Sequence, residues 1–141
     1  MTVCTMDGIG ITIDEMKAWY ASDALPANIT IVDKNVTAKL LENDLGVDGS
    51  YTMYQHIKTP IVVSNRCVFA SVFNQDLPNG GFFNMSTSKG MKAIEEANIA
   101  LRGKDVLSQT IVAYHKFEPL EDGSGVRISA IMCVELNGSM P

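Results

Sequence analysis

The sequence has no long apolar run and no cluster of basic residues. No stretch approaches the ~18 apolar residues that a membrane span requires, and the start lacks the charged and apolar regions of a signal peptide. The 11 lysines and arginines are scattered along a chain of net charge −5. Because nucleic-acid binding and purely electrostatic membrane docking both need clustered cations, neither is expected.

Cysteine is also scarce, with only three residues, Cys4, Cys67 and Cys133. They cannot all pair within one chain, and none has the spacing of a CxxC motif or of a Cys/His metal site. The glycine-rich turns lack the strand and helix context of a phosphate-binding loop. The sequence therefore predicts no metal, no cofactor and a reduced, cytoplasmic setting.

The amino-acid composition is that of an ordinary globular protein. The chain has 141 residues, of which 46% are hydrophobic and 19% are charged. A domain of this size buries about 68–70% of the surface of its unfolded chain. No repeat or linker divides the sequence, which predicts one domain over residues 1–141.

The clearest local signal is a helix start at Thr12 and Glu15. Their spacing is that of a capping box, followed by a one-sided apolar face that includes Ile13, Met16 and Tyr20. The pattern predicts a helix from this box to about Ser22.

Most of the remaining chain has the alternation and turn residues of an antiparallel meander. In 66–75, for example, Val68, Ala70 and Val72 alternate with Cys67 and Phe69. Segment 89–102 is different, because its apolar residues have helical spacing, which predicts a short helix. The predicted strands are 29–33, 36–45, 51–58, 66–75, 82–88, 107–118 and 126–136.

Two residue types, histidine and methionine, are candidates for a functional role. His56 and His115 lie in strand patterns without a local partner, and strand histidines are more often structural, so no catalytic residue is assigned. The chain also has eight methionines. Met53, Met85 and Met132 either line a cavity for an irregular apolar ligand or fill gaps in a core, and the residues alone favour the second interpretation.

An ordered series of motifs resembles the START lipid-binding domains of the helix-grip class. The series comprises the capped helix TIDEMKAWYASD at 12–23, the strand SNRCVFASVF at 64–73, FEPL at 117–120 and VRISAIMCVELNGSMP at 126–141. The resemblance implies an α+β fold in which a curved antiparallel sheet packs against helix. It also implies that the N-terminal elements and the C-terminal helix of that family are lacking here.

Some positions depart from the family pattern. Cys67 stands where the family usually has Asp, so Arg66 requires another acceptor. Leu107 and Gln109 stand where the family often has an Arg and an acidic residue, which weakens polar anchoring of a sterol-like ligand. A sheet without the C-terminal helix would expose apolar surface for a partner, a second copy or lipid to cover.

The function implied by the resemblance is non-enzymatic binding, with transfer as an extension, of a lipid or other apolar small molecule. The ligand would lie in a cavity of the curved sheet, and the resemblance leaves room for transient membrane contact and for a homodimer. One alternative is an interaction module that dimerises or binds a protein through its exposed sheet face. A weaker alternative is an enzyme that uses His56 or His115. The predicted ligand-binding residues are Trp19, Met53, Arg66, Phe69, Met85, Tyr114 and Met132.

Overall fold

The computed structural model describes residues 1–43 and 49–138. Within these residues the chain forms eight strands and four helices. Their order is β1 (Thr2–Ile9), α1 (Ile13–Tyr20), α2 (Leu25–Val32), β2 (Val36–Asn43), β3 (Ser50–Ile57), β4 (Arg66–Asp76), β5 (Phe82–Thr87), α3 (Lys92–Ala97), α4 (Ile99–Arg102), β6 (Val106–Leu107), β7 (Gln109–Pro119) and β8 (Gly125–Glu135).

The strands form a single curved sheet that does not close into a barrel. Its order is β1-β8-β7-β5-β4-β3-β2, all neighbours in this order are antiparallel, and β6 adds a short parallel pairing to β4. The two edge strands, β1 and β2, are joined along the chain by α1 and α2. This architecture confirms the predicted α+β fold.

The face of the sheet that α1 and α2 cover is called the inner face. Leu25 and Ile29 of α2 pack against Tyr51, Met53 and Val72 of strands β3 and β4. A second inner cluster joins α1 to the far half of the sheet through Ile13, Met16, Tyr20, Phe82, Phe117, Val126 and Ile128. The two helices therefore cover adjoining parts of the inner face, and Tyr20 of α1 packs against both clusters.

The opposite, outer face is covered by the segment between β5 and β7. Met91, Ile94 and Leu101, from the α3 and α4 region, pack on Tyr54 and Phe69. The Tyr54 hydroxyl donates to the Leu101 carbonyl over 2.7 Å, which ties α4 to the sheet. Strand β4 is therefore apolar on both faces because its inner face packs against α2 and its outer face packs against the α3 and α4 region.

Several local predictions are confirmed. Glu15 N donates to Thr12 Oγ1 over 3.2 Å, and Thr12 N donates to Glu15 Oε2 over 2.8 Å, so the capping box is complete. The helical prediction for 89–102 corresponds to α3 and α4. Six of the seven predicted strands are present within a few residues, although positions 44 and 45 and part of the turn after them lie outside the described residues.

In the first third of the chain one prediction is wrong and one strand was not predicted. Residues 29–33 are not a strand, because Leu25–Val32 is helix α2. Pro26 lies in its first turn, where a missing N–H costs nothing, and packing of Leu25 and Ile29 outweighs the strand preference of β-branched side chains. Strand Thr2–Ile9 was not predicted, and it pairs in continuous register with β8. Among the described residues, no helix is long and apolar enough to span a membrane.

Candidate functional site

A group of small side chains lies on the inner face outside the two clusters that α1 and α2 cover. Val68, Ala70 and Ala113 are buried but belong to neither inner aromatic and aliphatic cluster. Ala113 lies opposite Met132, and Ala130 is the next inner-face residue along β8. We call Val68, Ala70, Ala113, Ala130 and Met132 the trough, because their short or flexible side chains take little space beside bulky neighbours.

A row of polar residues borders the trough on the side of α1. Asn74, Asn84 and His115 face one another across β4, β5 and β7. Asn84 Nδ2 donates to Asn74 Oδ1 over 2.8 Å, and Asn74 Nδ2 donates to the Tyr20 carbonyl over 3.4 Å. Tyr51 also donates its hydroxyl to that carbonyl, over 3.2 Å. The row therefore anchors the last residue of α1 to the sheet.

His115 differs from its neighbours because its Nδ1 is buried and has no hydrogen-bond partner among the residues that the structure describes. The imidazole lies 5.8 Å from the Tyr20 ring and 6.5 Å from the Phe117 ring, measured between centroids. Burial lowers its pKa from the usual 6.5, so the ring is neutral at pH 7. A neutral imidazole offers one donor nitrogen and one acceptor nitrogen.

The depressed pKa of His115 predicts that the folded chain loses stability on acidification. The unfolded state binds the proton with a pKa near 6.5 and the folded state with a lower one, so stability is full above 6.5 and falls as pH decreases. We expect urea titrations between pH 7.5 and 5.5 to show a smaller fall in unfolding free energy for His115→Gln than for the wild type. An equal fall would contradict the assignment, and His56→Gln provides the control.

Arg66 is 3% exposed at the start of β4, and its side chain is held by backbone carbonyls. Its guanidinium donates to the Ser64 carbonyl and, over 3.1 Å, to the Asn137 carbonyl. These oxygens are the alternative acceptors that the absence of an aspartate at Cys67 required. The contact with Asn137 also fixes the segment after β8 across the start of β4.

The sheet separates the predicted ligand-binding residues into two groups. Met53, Arg66 and Met132 are inner-face positions, and Met53 is already packed in the cluster with α2. The outer-face positions are Phe69, Met85 and Tyr114. A single cavity cannot be lined by both groups, because the backbone of the sheet lies between them.

The outer residues also have protein neighbours. Phe69 is fully buried and its ring centroid lies 5.1 Å from that of Tyr54. Met85 lies opposite Tyr114, whose ring is 5.4 Å from Phe83. Trp19 lies on α1 with 37% of its surface exposed. The role of these residues in ligand binding stays a prediction.

Sequence reasoning did not select Ala113, Ala130 or His115 as site residues. Alanine in a strand pattern carries no chemical signal, and a histidine gains significance only when its partners are known. The alternation of side chains along β7 and β8 could have found them, because it places these three residues on one face of the sheet once the strand register is known.

The outer face brings together a cysteine, a histidine and a carboxylate. His56 Nε2 is 3.3 Å from Asp105 Oδ2, and His56 lies opposite Cys67 in the β3–β4 register. Burial raises the pKa of the Cys67 thiol to about 11, and the side chain is fully buried. Because a protonated, buried thiol is a poor nucleophile, this grouping does not support thiol catalysis. The described residues contain no cluster of three metal-ligating side chains.

The curved, unclosed antiparallel sheet with helices on its inner face resembles several solved structures. No family model matches the sequence, and no curated protein sequence matches it. Several solved structures match the fold of the chain. Human STARD10 superposes with a TM-score of 0.76 at 15% identity, over 99% of this chain and 52% of that one.

Two further structures extend the comparison. The lipid transfer and protein localization domain of human StarD13 gives a TM-score of 0.74 at 14% identity, over 98% of this chain and 64% of that one. The STAR-related lipid transfer protein of Xanthomonas axonopodis gives a TM-score of 0.69 at 17% identity, over 99% of this chain and 71% of that one. The chain has the START fold, and it spans between about half and about seven tenths of the lengths of these three structures.

Proposed function

We propose that the chain is a non-enzymatic binder of an apolar small molecule, most simply a lipid, held on the inner face of the sheet. The observation that carries the proposal is the trough, where small side chains lie on the inner face beside the two helix-covered clusters. The START fold and its match to the structures of lipid transfer proteins support it. The three free cysteines are consistent with the reducing cytoplasm that we propose as the setting.

The driving force would be removal of apolar surface from water. Burial of about 300 Å² of a ligand would contribute about 7 kcal/mol before the entropic cost of binding is subtracted. Such a ligand needs space rather than charge, which is what Ala113 and Ala130 supply. Binding would therefore be sensitive to side-chain volume in the trough.

Filling the trough tests this proposal. Ala130→Trp places an indole on the inner face beside His115 and Cys4, so we expect the affinity for a fluorescent alkyl probe to fall at least tenfold. The measurement is a titration of probe emission. Ser129→Trp puts the same side chain on the outer face of the same strand, and it should bind as the wild type does. Equal affinities of all three proteins would contradict the proposal.

We also propose transient membrane contact at the end of the sheet where β4 begins. The loop between β3 and β4 exposes Ile61 fully and Val62 to 79%, and α2 ends with Ile31 and Val32, 71% and 75% exposed. Lys58 N donates to the Asn35 carbonyl over 2.8 Å, which holds the loop near the end of α2. Four exposed apolar side chains at one end form a patch suited to a lipid surface.

Removal of this patch should weaken membrane binding. We expect the double variant Ile61→Asp, Val62→Asp to co-sediment with phosphatidylcholine vesicles at least fivefold less than the wild type, because two exposed aliphatic side chains that would enter the lipid are lost. Ile9→Asp is the control, since Ile9 is 69% exposed and lies at the opposite end of the sheet. Equal losses for both proteins would argue against a localised contact.

A second candidate function is self-association through β1. This strand is a sheet edge, it pairs with β8 without a bulge, and it contains no lysine or proline to block another strand. Strand β2, at the other edge, has an irregular register between Leu40 and Glu42 and exposes Lys39. A dimer in light scattering that Thr5→Pro abolishes would support this candidate, and a monomer at all concentrations would exclude it.

A further inference from the structure

We infer that His115 Nδ1 receives the hydrogen-bonding oxygen of a neutral amphiphilic ligand whose apolar chain lies along the trough. The inference rests on the proposed function and names the ligand class: a long-chain alcohol, or another uncharged lipid with a free hydroxyl. It also assigns the orientation of the ligand, with its polar end at the row that borders α1.

The first argument is that Nδ1 is an unsatisfied polar atom in a row that is otherwise paired. The side chains of Asn74 and Asn84 are hydrogen-bonded to each other, while His115 Nδ1 has no partner within residues 1–43 and 49–138. Buried polar atoms are nearly always hydrogen-bonded, so each exception needs an explanation. Thr52 Oγ1 is another such atom, but Thr52 lies opposite Ser71 on the outer face and does not adjoin the trough.

The second argument is position. In the strand register, His115 lies between Asn84, whose amide is engaged, and Ala130, which has no polar side chain. The next inner-face pair is Ala113 and Met132, so an alkyl chain that starts at His115 can run over trough residues. The imidazole thus lies where the helix-covered part of the inner face meets the trough.

The third argument concerns access. Tyr20, at the end of α1, lies beside the imidazole, and no residue of α1 is fully buried. An open cleft of about 650 Å³ lies next to α1 and touches the polar row at Asn74, with Asn84 between that residue and His115. Displacement of α1 at Tyr20 would expose the imidazole without breaking the sheet, at the cost of the hydrogen bonds that Asn74 and Tyr51 donate to the Tyr20 carbonyl.

The charge state favours a neutral ligand. Burial keeps the imidazole uncharged at pH 7, so it can bond a hydroxyl without an ion pair. A carboxylate would bring an uncompensated charge to this buried position, which is costly. A long-chain alcohol should therefore bind in preference to the fatty acid of the same length.

The test uses the fact that the chain has only two histidines, His56 and His115. The protein is labelled with ¹⁵N-histidine and titrated with dodecanol, dodecane and dodecanoate, each delivered from cyclodextrin. We expect dodecanol to shift the Nδ1 resonance of His115, dodecane to leave it unchanged, and neither to shift His56, which pairs with Asp105 on the outer face.

A variant series provides the energetic readout. Competition with a fluorescent alkyl probe gives the ratio of dodecane to dodecanol dissociation constants, and we expect His115→Phe to lower that ratio about tenfold or more, the value of one lost hydrogen bond to a buried group. His56→Phe should leave the ratio unchanged. The NMR titration of the wild type decides the question even where a variant does not fold.

The outcomes distinguish the inference about His115 from the proposed function. If dodecane and dodecanol both displace the probe while the His115 resonance and the ratio stay unchanged, the inference is overturned and the proposed function stands. If no alkyl compound displaces the probe or binds, both are overturned.

Discussion

Replacement of Phe117 with alanine is expected to lower the free energy of unfolding by about 3–5 kcal/mol, as large-to-small changes of buried aromatic residues do. Phe117 is 1% exposed, and its ring stacks on Phe82 with centroids 4.6 Å apart and planes 14° apart. Its centroid also lies 5.2 Å from that of Tyr20, so one ring links β5, β7 and α1. The loss would be measured by urea titration followed by circular dichroism.

A matched change on the outer face separates burial from aromatic contact. Phe83→Ala removes the same atoms from the neighbouring position of β5, where the ring is only partly buried and lies 5.8 Å from Phe73. We expect a smaller loss, because less apolar surface returns to water. Equal losses for the two variants would show that the α1 cluster is not the main core of this half of the sheet.

The variant Gly125→Ala is expected to separate β1 from the sheet. An added Cβ would lie 2.0 Å from the Gly8 carbonyl oxygen and 3.0 Å from the Ile9 Cα, and these backbone atoms cannot yield without breaking strand pairing. We expect a loss of about 2–3 kcal/mol, the usual cost of overpacking, and at least tenfold faster amide exchange in β1. Hydrogen-exchange mass spectrometry measures the local effect.

Gly123→Ala provides the comparison in the same turn. Gly123 has φ of 71° and open space around its Cβ position, so alanine there meets only the left-handed backbone penalty of about 1–2 kcal/mol. Exchange in β1 should remain slow in this variant. Fast exchange in both variants would mean that the turn, not the close approach of Gly8, controls the pairing of β1.

The parts of the fold that could be predicted are those with strong local signals. The Thr12 and Glu15 capping box and the alternation of β4 each depend on neighbouring residues only, and both are confirmed. Helix α2 could not be predicted in this way, because its β-branched residues favour a strand until Leu25 and Ile29 meet β2 and β3. Strand β1 depends entirely on pairing with β8, which is over 110 residues away along the chain.

The candidate site was less accessible to sequence reasoning than the fold. A choice by residue type favoured Met, Phe and Tyr, which are also the residues that fill cores, and Phe69 is fully buried under α3 and α4. The trough contains Met132 from the predicted set, but its other members are Val68 and three alanines, which carry no signal of their own. Arg66 was correctly expected to need acceptors other than a carboxylate at Cys67, yet the Asn137 carbonyl that serves could be identified only from the fold.

The measurement that tests the central claim most directly is native mass spectrometry of the freshly purified chain, followed by organic extraction and identification of released molecules. The account predicts a stoichiometric apolar adduct on the wild type and on Ser129→Trp, and none on Ala130→Trp. A ligand-free wild-type mass, monomeric or dimeric, that persists after incubation with mixed lipids would contradict the account.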